Sequence, residues 1–251
     1  MDLGIEKKVA VVIAASRGIG KATALGLARE GCAVAICARG AEGLATTHAE
    51  IEALGVPTFS RTCDVGDLEA LRGFLDQARA ELGSVDILVN NASAFSFGSE
   101  LQDWEKSFSI DLIASVQATE HVLPWMLASG GGAIVHVSST AALEAPGPPA
   151  YSALKAALLS HAKNVAVAHA RNGIRINCVT PGAVEFPGGI WEGAKQNQPD
   201  AYQGMLATIP AGRMVSDTEV ADAIIFAASE RASGMTGAVL SVDLAQHKGN
   251  L

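Results

Sequence analysis

Short apolar runs alternate with longer stretches of helical periodicity from one end of this chain to the other, and that alternation limits the available folds more than any other feature. Strands are predicted at residues 9–14, 33–38, 58–62, 87–90, 133–138, 175–179 and 239–242, and helices at 20–30, 41–54, 68–82, 104–127, 151–172 and 218–228. Strand, helix and strand in succession are the signature of βαβ units feeding a parallel sheet. Right-handed crossovers then wind the chain into an α/β fold, a doubly wound parallel sheet of about seven strands flanked by helices on both faces. In such sheets ligands bind beyond the carboxyl ends of the strands. No linker, repeat or low-complexity tract divides the 251 residues, so one domain over 1–251 is expected.

One segment breaks the rhythm. Between residues 183 and 212 prolines 187, 199 and 210 stand among glycines 188, 189 and 193, with Phe186, Trp191, Tyr202 and Met205 interspersed. A long irregular insertion in a compact domain reads as a lid over a substrate site. The net charge of −8 argues against a nucleic-acid or anionic-membrane surface, which would demand a basic patch. Cys32, Cys37, Cys63 and Cys178 have neither C-x-x-C spacing nor a histidine in ligand pattern, so no metal site is expected and buried thiols in a reducing compartment are. Lys7 and Lys8 precede a short apolar run as in a secretory signal, but Asp2 and Glu6 spoil the basic region. No run approaches the ~20 apolar residues of a membrane helix. A cytoplasmic protein is the expectation.

The first strand leads into Ser16-Arg17-Gly18-Ile19-Gly20, which opens a helix. Glycines let backbone approach a ligand, and the helix N-terminus offers unpaired N–H groups to a pyrophosphate. The second strand ends in Ala38-Arg39, without the acidic residue that commonly holds a ribose 2′-hydroxyl. Arg39, with Arg17 closing from the glycine turn, suits a 2′-phosphate, which favours NADP(H) and leaves NAD(H) open. Asp64-Val65 and Asn90-Asn91-Ala92 follow the third and fourth strands at the same sheet edge, where adenine and nicotinamide ribose would need partners. Turn chemistry is the alternative reading of both.

Tyr151 and Lys155 lie four apart in a predicted helix, hence on one face. A cation beside a phenol lowers its ordinary pKa of about 10 toward neutrality, making tyrosine a usable acid or base. Gly18-Ile19-Gly20, Asn90-Asn91-Ala92, Ser138-Ser139, Tyr151-x-x-x-Lys155 and Pro181-Gly182, in this order, resemble the classical short-chain dehydrogenase/reductases over essentially the whole chain. The resemblance implies a Rossmann-type sheet, a nicotinamide cofactor, hydride transfer between a carbonyl and an alcohol, and a homotetramer or dimer. It implies that Tyr151 is the general acid/base, that Lys155 lowers its pKa and binds the nicotinamide ribose, and that a serine at the end of the fifth strand orients the substrate oxygen. Ser138 and Ser139 compete for that place, and matching the strand pattern selects Ser139. Pro181, Gly182 and Val184 are implied at the cofactor.

The chain departs from the family at four places. The first glycine of the Thr-Gly-x-x-x-Gly-x-Gly turn is replaced, the chain running Ile13-Ala14-Ala15 there, and Ser93 replaces the glycine after Ala92. Phe186 stands where the family has a threonine at the nicotinamide carboxamide, and Asp111 where an asparagine holds a proton-relay water. Asp111 keeps the capacity to bind water and adds a negative charge near Lys155. These departures motivate an alternative, a nucleotide-binding sensor or scaffold without catalysis. A 3-oxoacyl-thioester reductase is the alternative within the family, whereas enoyl reduction is disfavoured by the three-residue Tyr-to-Lys gap. Ala94, Phe95, Phe97, Leu143, Glu144, Phe186, Trp191, Tyr202 and Met205 are expected to line an apolar pocket for a small-molecule carbonyl or alcohol. His121, His136, His161 and His169 read as structural, and Asp86, Glu144 and Glu185 form no evident pair.

Overall fold

The computed structural model describes residues 2–250. Its centre is a seven-stranded sheet in the order β3-β2-β1-β4-β5-β6-β9, with every neighbouring pair parallel. The strands are β1 Val9–Ile13, β2 Ala33–Ala38, β3 Thr58–Thr62, β4 Ile87–Asn90, β5 Gly132–Val137, β6 Ile174–Pro181 and β9 Val239–Val242, and the short β7 Val184–Glu185 and β8 Val215–Ser216 pair apart from them. The long helices are α1 Gly18–Arg29, α2 Ala41–Glu52, α3 Leu68–Leu82, α5 Ala114–Ala128, α6 Pro149–His169 and α9 Asp217–Ala228.

Successive residues of β1 explain the two-sided architecture. Ala10 and Val12 join a core with Leu27 of α1, Ile51 of α2 and Ile224 of α9, whereas Val11 and Ile13 join another with Phe74 of α3, Val122 of α5 and Val165 of α6. Side chains alternate across a strand, so a central parallel strand must be apolar on both faces, and all five residues of β1 are buried.

Three boundaries differ from expectation for local reasons. β1 ends at Ile13, because Ala14 takes φ +61°, a left-handed conformation that breaks the strand and that alanine resists. The predicted helix 104–127 is α4 Leu101–Ser107, a π-helical turn Phe108–Ile113, and then α5. Residues 183–212 are not irregular. Gly189 precedes α7 Ile190–Asn197, Pro199 occupies the first turn of α8 Pro199–Thr208, and Ala183, Tyr202, Ile209 and Met214 form a small core of their own. Proline and glycine punctuate these helices at their starts, where no intrahelical donor is lost. Tyr202 belongs to this core and also lines a cavity with Glu185, Leu206 and Met214, its hydroxyl donating to Glu185 at 2.7 Å.

Candidate active site

The carboxyl edge of the sheet gathers two clusters. The first is the glycine turn between β1 and α1. Gly18 has φ +53°, and a Cβ on Gly20 would lie 2.3 Å from the Ala14 carbonyl oxygen and 2.5 Å from Asn91 Nδ2. Asn91 Nδ2 donates to that same carbonyl at 3.0 Å, tying the end of β4 to the turn. Gly20→Ala is therefore expected to destabilise the fold by about 1–3 kcal/mol, the usual cost of overpacking, measured as a lower urea midpoint; an unchanged midpoint would show that the turn yields freely.

The first turn of α1 has no acidic residue and no side-chain cap, so its N–H groups face the turn unclaimed by side chains. Glycine backbone, an open helix N-terminus and no carboxylate together fit a pyrophosphate. Ser16 and Ile19 lie in the same turn, Ala38 is buried at the end of β2, and Val65 is buried after β3. Arg39 is exposed, and its guanidinium forms no hydrogen bond or ion pair among the described residues. Arg17, expected beside a 2′-phosphate, instead donates to the Gly188 carbonyl at 3.0 Å. Asp64 accepts from Gly66 N at 3.0 Å, a local turn bond. Pro181 ends β6, Gly182 N donates to Val242 O at 3.0 Å, and Val184 opens β7. This descent brings the Phe186 ring against Gly18, 2.6 Å from where a Cβ would stand.

The second cluster lies where α6 crosses β5 and the π turn. Ser138 and Ser139 have different partners: the Ser138 hydroxyl donates to the Lys155 carbonyl at 2.8 Å and fastens β5 to α6, whereas the Ser139 hydroxyl accepts from Ala141 N at 3.1 Å and acts on the Tyr151 phenol, lowering its pKa. Lys155 is 2 % exposed, and its ammonium donates to Val137 O at 3.0 Å and Ala92 O at 3.4 Å. Asp111, 0 % exposed, places Oδ1 3.4 Å from that ammonium and accepts from Ala94 N at 3.3 Å. Its Oδ2 is buried without a protein partner.

The expected lowering of the Tyr151 pKa is not found. Burial raises it, the Ser139 hydrogen bond opposes burial, and the Asp111 charge adds to it, leaving the phenol at about 12. Burial also lowers Lys155, with Asp111 working against that shift. Asp111 thus compensates the cation that the sequence reading expected to act on the phenol alone.

Two groups in this region make contacts that the sequence did not signal. Asn90 Nδ2 donates to Thr119 Oγ1 at 3.2 Å and lies 3.1 Å from His136 Nδ1, and His136 Nε2 lies 3.1 Å from His161 Nδ1. Burial above all pushes His136 down to about 3, so it is a neutral structural histidine, as its lack of ligand spacing implied. Phe97 packs edge-on to the Tyr151 ring, with centroids 5.5 Å apart. Its aromatic character was legible in the sequence, but its contact with the phenol was not.

Comparison with known proteins agrees with this geometry. The family model described as Enoyl-(Acyl carrier protein) reductase matches residues 13–244. The cis-4-hydroxycyclohexanecarboxylate dehydrogenase of Sinomonas cyclohexanicum is 39 % identical over 253 residues, covering 97 % of this chain and 98 % of that protein. A 7α-hydroxysteroid dehydrogenase solved with NADH and 7-oxo glycochenodeoxycholic acid superposes with a TM-score of 0.89 at 29 % identity, covering 97 % of this chain and 96 % of its own. An actinorhodin polyketide ketoreductase solved with NADPH superposes with a TM-score of 0.89 at 32 % identity, covering 96 % and 98 %. Among the described residues no helix is long and apolar enough to cross a membrane. The motifs, the sheet order and these relatives agree across the chain, which belongs to the short-chain dehydrogenase/reductase family and is an oxidoreductase.

Proposed function

We propose that the chain is an NADP(H)-dependent oxidoreductase interconverting a ketone or aldehyde and an alcohol, with Tyr151 as general acid/base. The observation that carries this reading is the cluster of Tyr151 and Ser139, both half-buried, with the buried Lys155 and Asp111, set at the same sheet edge as the glycine turn. The nicotinamide cofactor, when bound, supplies or accepts the hydride. In reduction the Tyr151 hydroxyl delivers its proton to the carbonyl oxygen as that oxygen gains charge, and Ser139 directs a hydroxyl at the same atom. Tyr151 is left as phenolate and is reprotonated from solvent through the Lys155 and Asp111 pair. In oxidation the order reverses and the phenolate takes the alcohol proton.

Gly18, Gly20 and the α1 N-terminus would hold the pyrophosphate, with Phe186 turning off Gly18 to admit it. Arg39 would hold a 2′-phosphate. A charge-assisted hydrogen bond contributes about 1.5–3 kcal/mol, so Arg39→Asp is expected to weaken NADPH binding by about 10–100-fold while leaving NADH within a few-fold, read as Kd by titration fluorescence. Equal losses for both cofactors would exclude Arg39 from cofactor discrimination.

A second reading, 3-oxoacyl-thioester reduction, is favoured by the likeness to the polyketide ketoreductase. Cofactor consumption with free ketones and with an acetoacetyl thioester separates the two. No consumption with either, despite cofactor binding, would leave a non-catalytic nucleotide-binding protein.

A further inference from the structure

We infer that the site selects a carbonyl carried on a ring over one in an open chain of equal size, with Phe97 as the residue that makes the distinction. The inference rests on the ketone–alcohol reading above. Phe95, Phe97 and Tyr151 form a ladder of edge-to-face rings, with centroids 6.0 Å apart at 74° for the first pair and 5.5 Å apart at 81° for the second. The ladder ends on the phenol that handles the proton.

Two phenylalanines in a loop are ordinarily explained by burial, and here burial does not explain them. Phe95 is 51 % and Phe97 48 % exposed, so half of each ring faces outward beside a polar catalytic group. Phe95 also takes φ +48°, a left-handed backbone that a residue with a Cβ adopts only against steric resistance. Such an outlier, beside a reactive side chain and without compensating burial, points to function rather than packing.

The geometry also specifies the shape of the ligand. A carbonyl oxygen within reach of the Tyr151 and Ser139 hydroxyls puts its neighbouring carbons beside Phe97, whose ring already uses one contact to hold the phenol. A closed ring offers that wall a broad apolar face in a fixed conformation. An open chain with the same number of carbons must immobilise several rotors to cover the same area.

Steady-state kcat/KM for cyclohexanone and 2-hexanone, both six-carbon ketones, tests this in the parent chain, in Phe97→Ala and in Phe97→Leu, each at saturating NADPH and again at saturating NADH. The intrinsic reactivities of the two ketones differ, and that difference cancels when a variant's ratio is divided by the parent's. The parent is expected to favour cyclohexanone, and the ratio is expected to fall about tenfold in Phe97→Ala, carried mainly by KM. Phe97→Leu, which keeps the apolar bulk and removes the flat face, is expected to show an intermediate ratio and decides the matter if the alanine variant does not fold. Turnover of both ketones with an unchanged ratio in a folded variant overturns the inference and leaves the carbonyl reading standing. Turnover of neither ketone by a parent that still binds cofactor overturns the carbonyl reading and the inference with it.

Discussion

Tyr151→Phe is expected to lower kcat for ketone reduction by about 10²–10⁴-fold, the range spanned by loss of a positioned general acid. Only the hydroxyl is removed, so the ring keeps its edge contact with Phe97 and its place beneath the Lys155 ammonium, 5.8 Å from the ring centroid. Loss of one side-chain hydrogen bond costs about 0.5–1.5 kcal/mol of stability, too little to unfold the domain. Cofactor affinity should therefore stay within a few-fold, so kcat falls while Kd does not. Matched kcat values for parent and variant would remove Tyr151 from the chemistry. With the phenol held at about 12, alcohol oxidation in the parent should accelerate as pH rises through the alkaline range, because the base form is scarce at neutrality.

Asp111→Asn should have the second largest effect, on stability and on pH dependence together. Lys155 and Asp111 form a buried ion pair, and removing one partner of such a pair typically costs about 3–5 kcal/mol through the charge left behind. The folded pKa of Lys155 already lies below its ordinary value, and losing Asp111, which raises it, depresses it further. Between that folded value and the ordinary value the unfolded chain binds the extra proton, so stability rises with pH across this window. The deficit of the variant relative to the parent should thus be largest at neutrality and narrow as pH is raised toward the ordinary lysine value, measured by urea unfolding at several pH values. The same substitution removes a charge that raises Tyr151, so the alkaline rise in alcohol oxidation should move to lower pH. A deficit that is flat with pH, or an unmoved oxidation profile, would contradict the coupling of the three side chains.

The fold was legible because its information is periodic. Apolar runs such as 9–13 and 33–38 can be satisfied only by burial on both faces, and crossover handedness then makes the sheet parallel and doubly wound. The site residues were legible as motifs, but their mutual electrostatics were not. Tyr151 and Lys155 at i and i+4 suggested an activated phenol; the sequence carries no measure of how deeply Lys155 is buried, nor of Asp111 arriving from the π turn to compensate the cation. Ser138 and Ser139 are indistinguishable as types and separate only through the direction each hydroxyl takes at the end of β5. Residues 183–212 read as irregular because proline and glycine were weighed by number, whereas their positions at the starts of α7 and α8 determine what they do.

The π turn at Phe108–Ile113 makes the helix between β4 and β5 more sensitive to length than to composition. A π turn absorbs one extra residue locally as a bulge, so deleting one residue there would let the helix close regularly, leave α4 and α5 nearly in register and shift the residues of the turn itself. Ala94 and Lys155 would then face a different side chain from Asp111, although every residue type in the cluster survived. Homologous chains can thus share all the chemistry of this site in composition and still lose it through a single-residue gap at this helix.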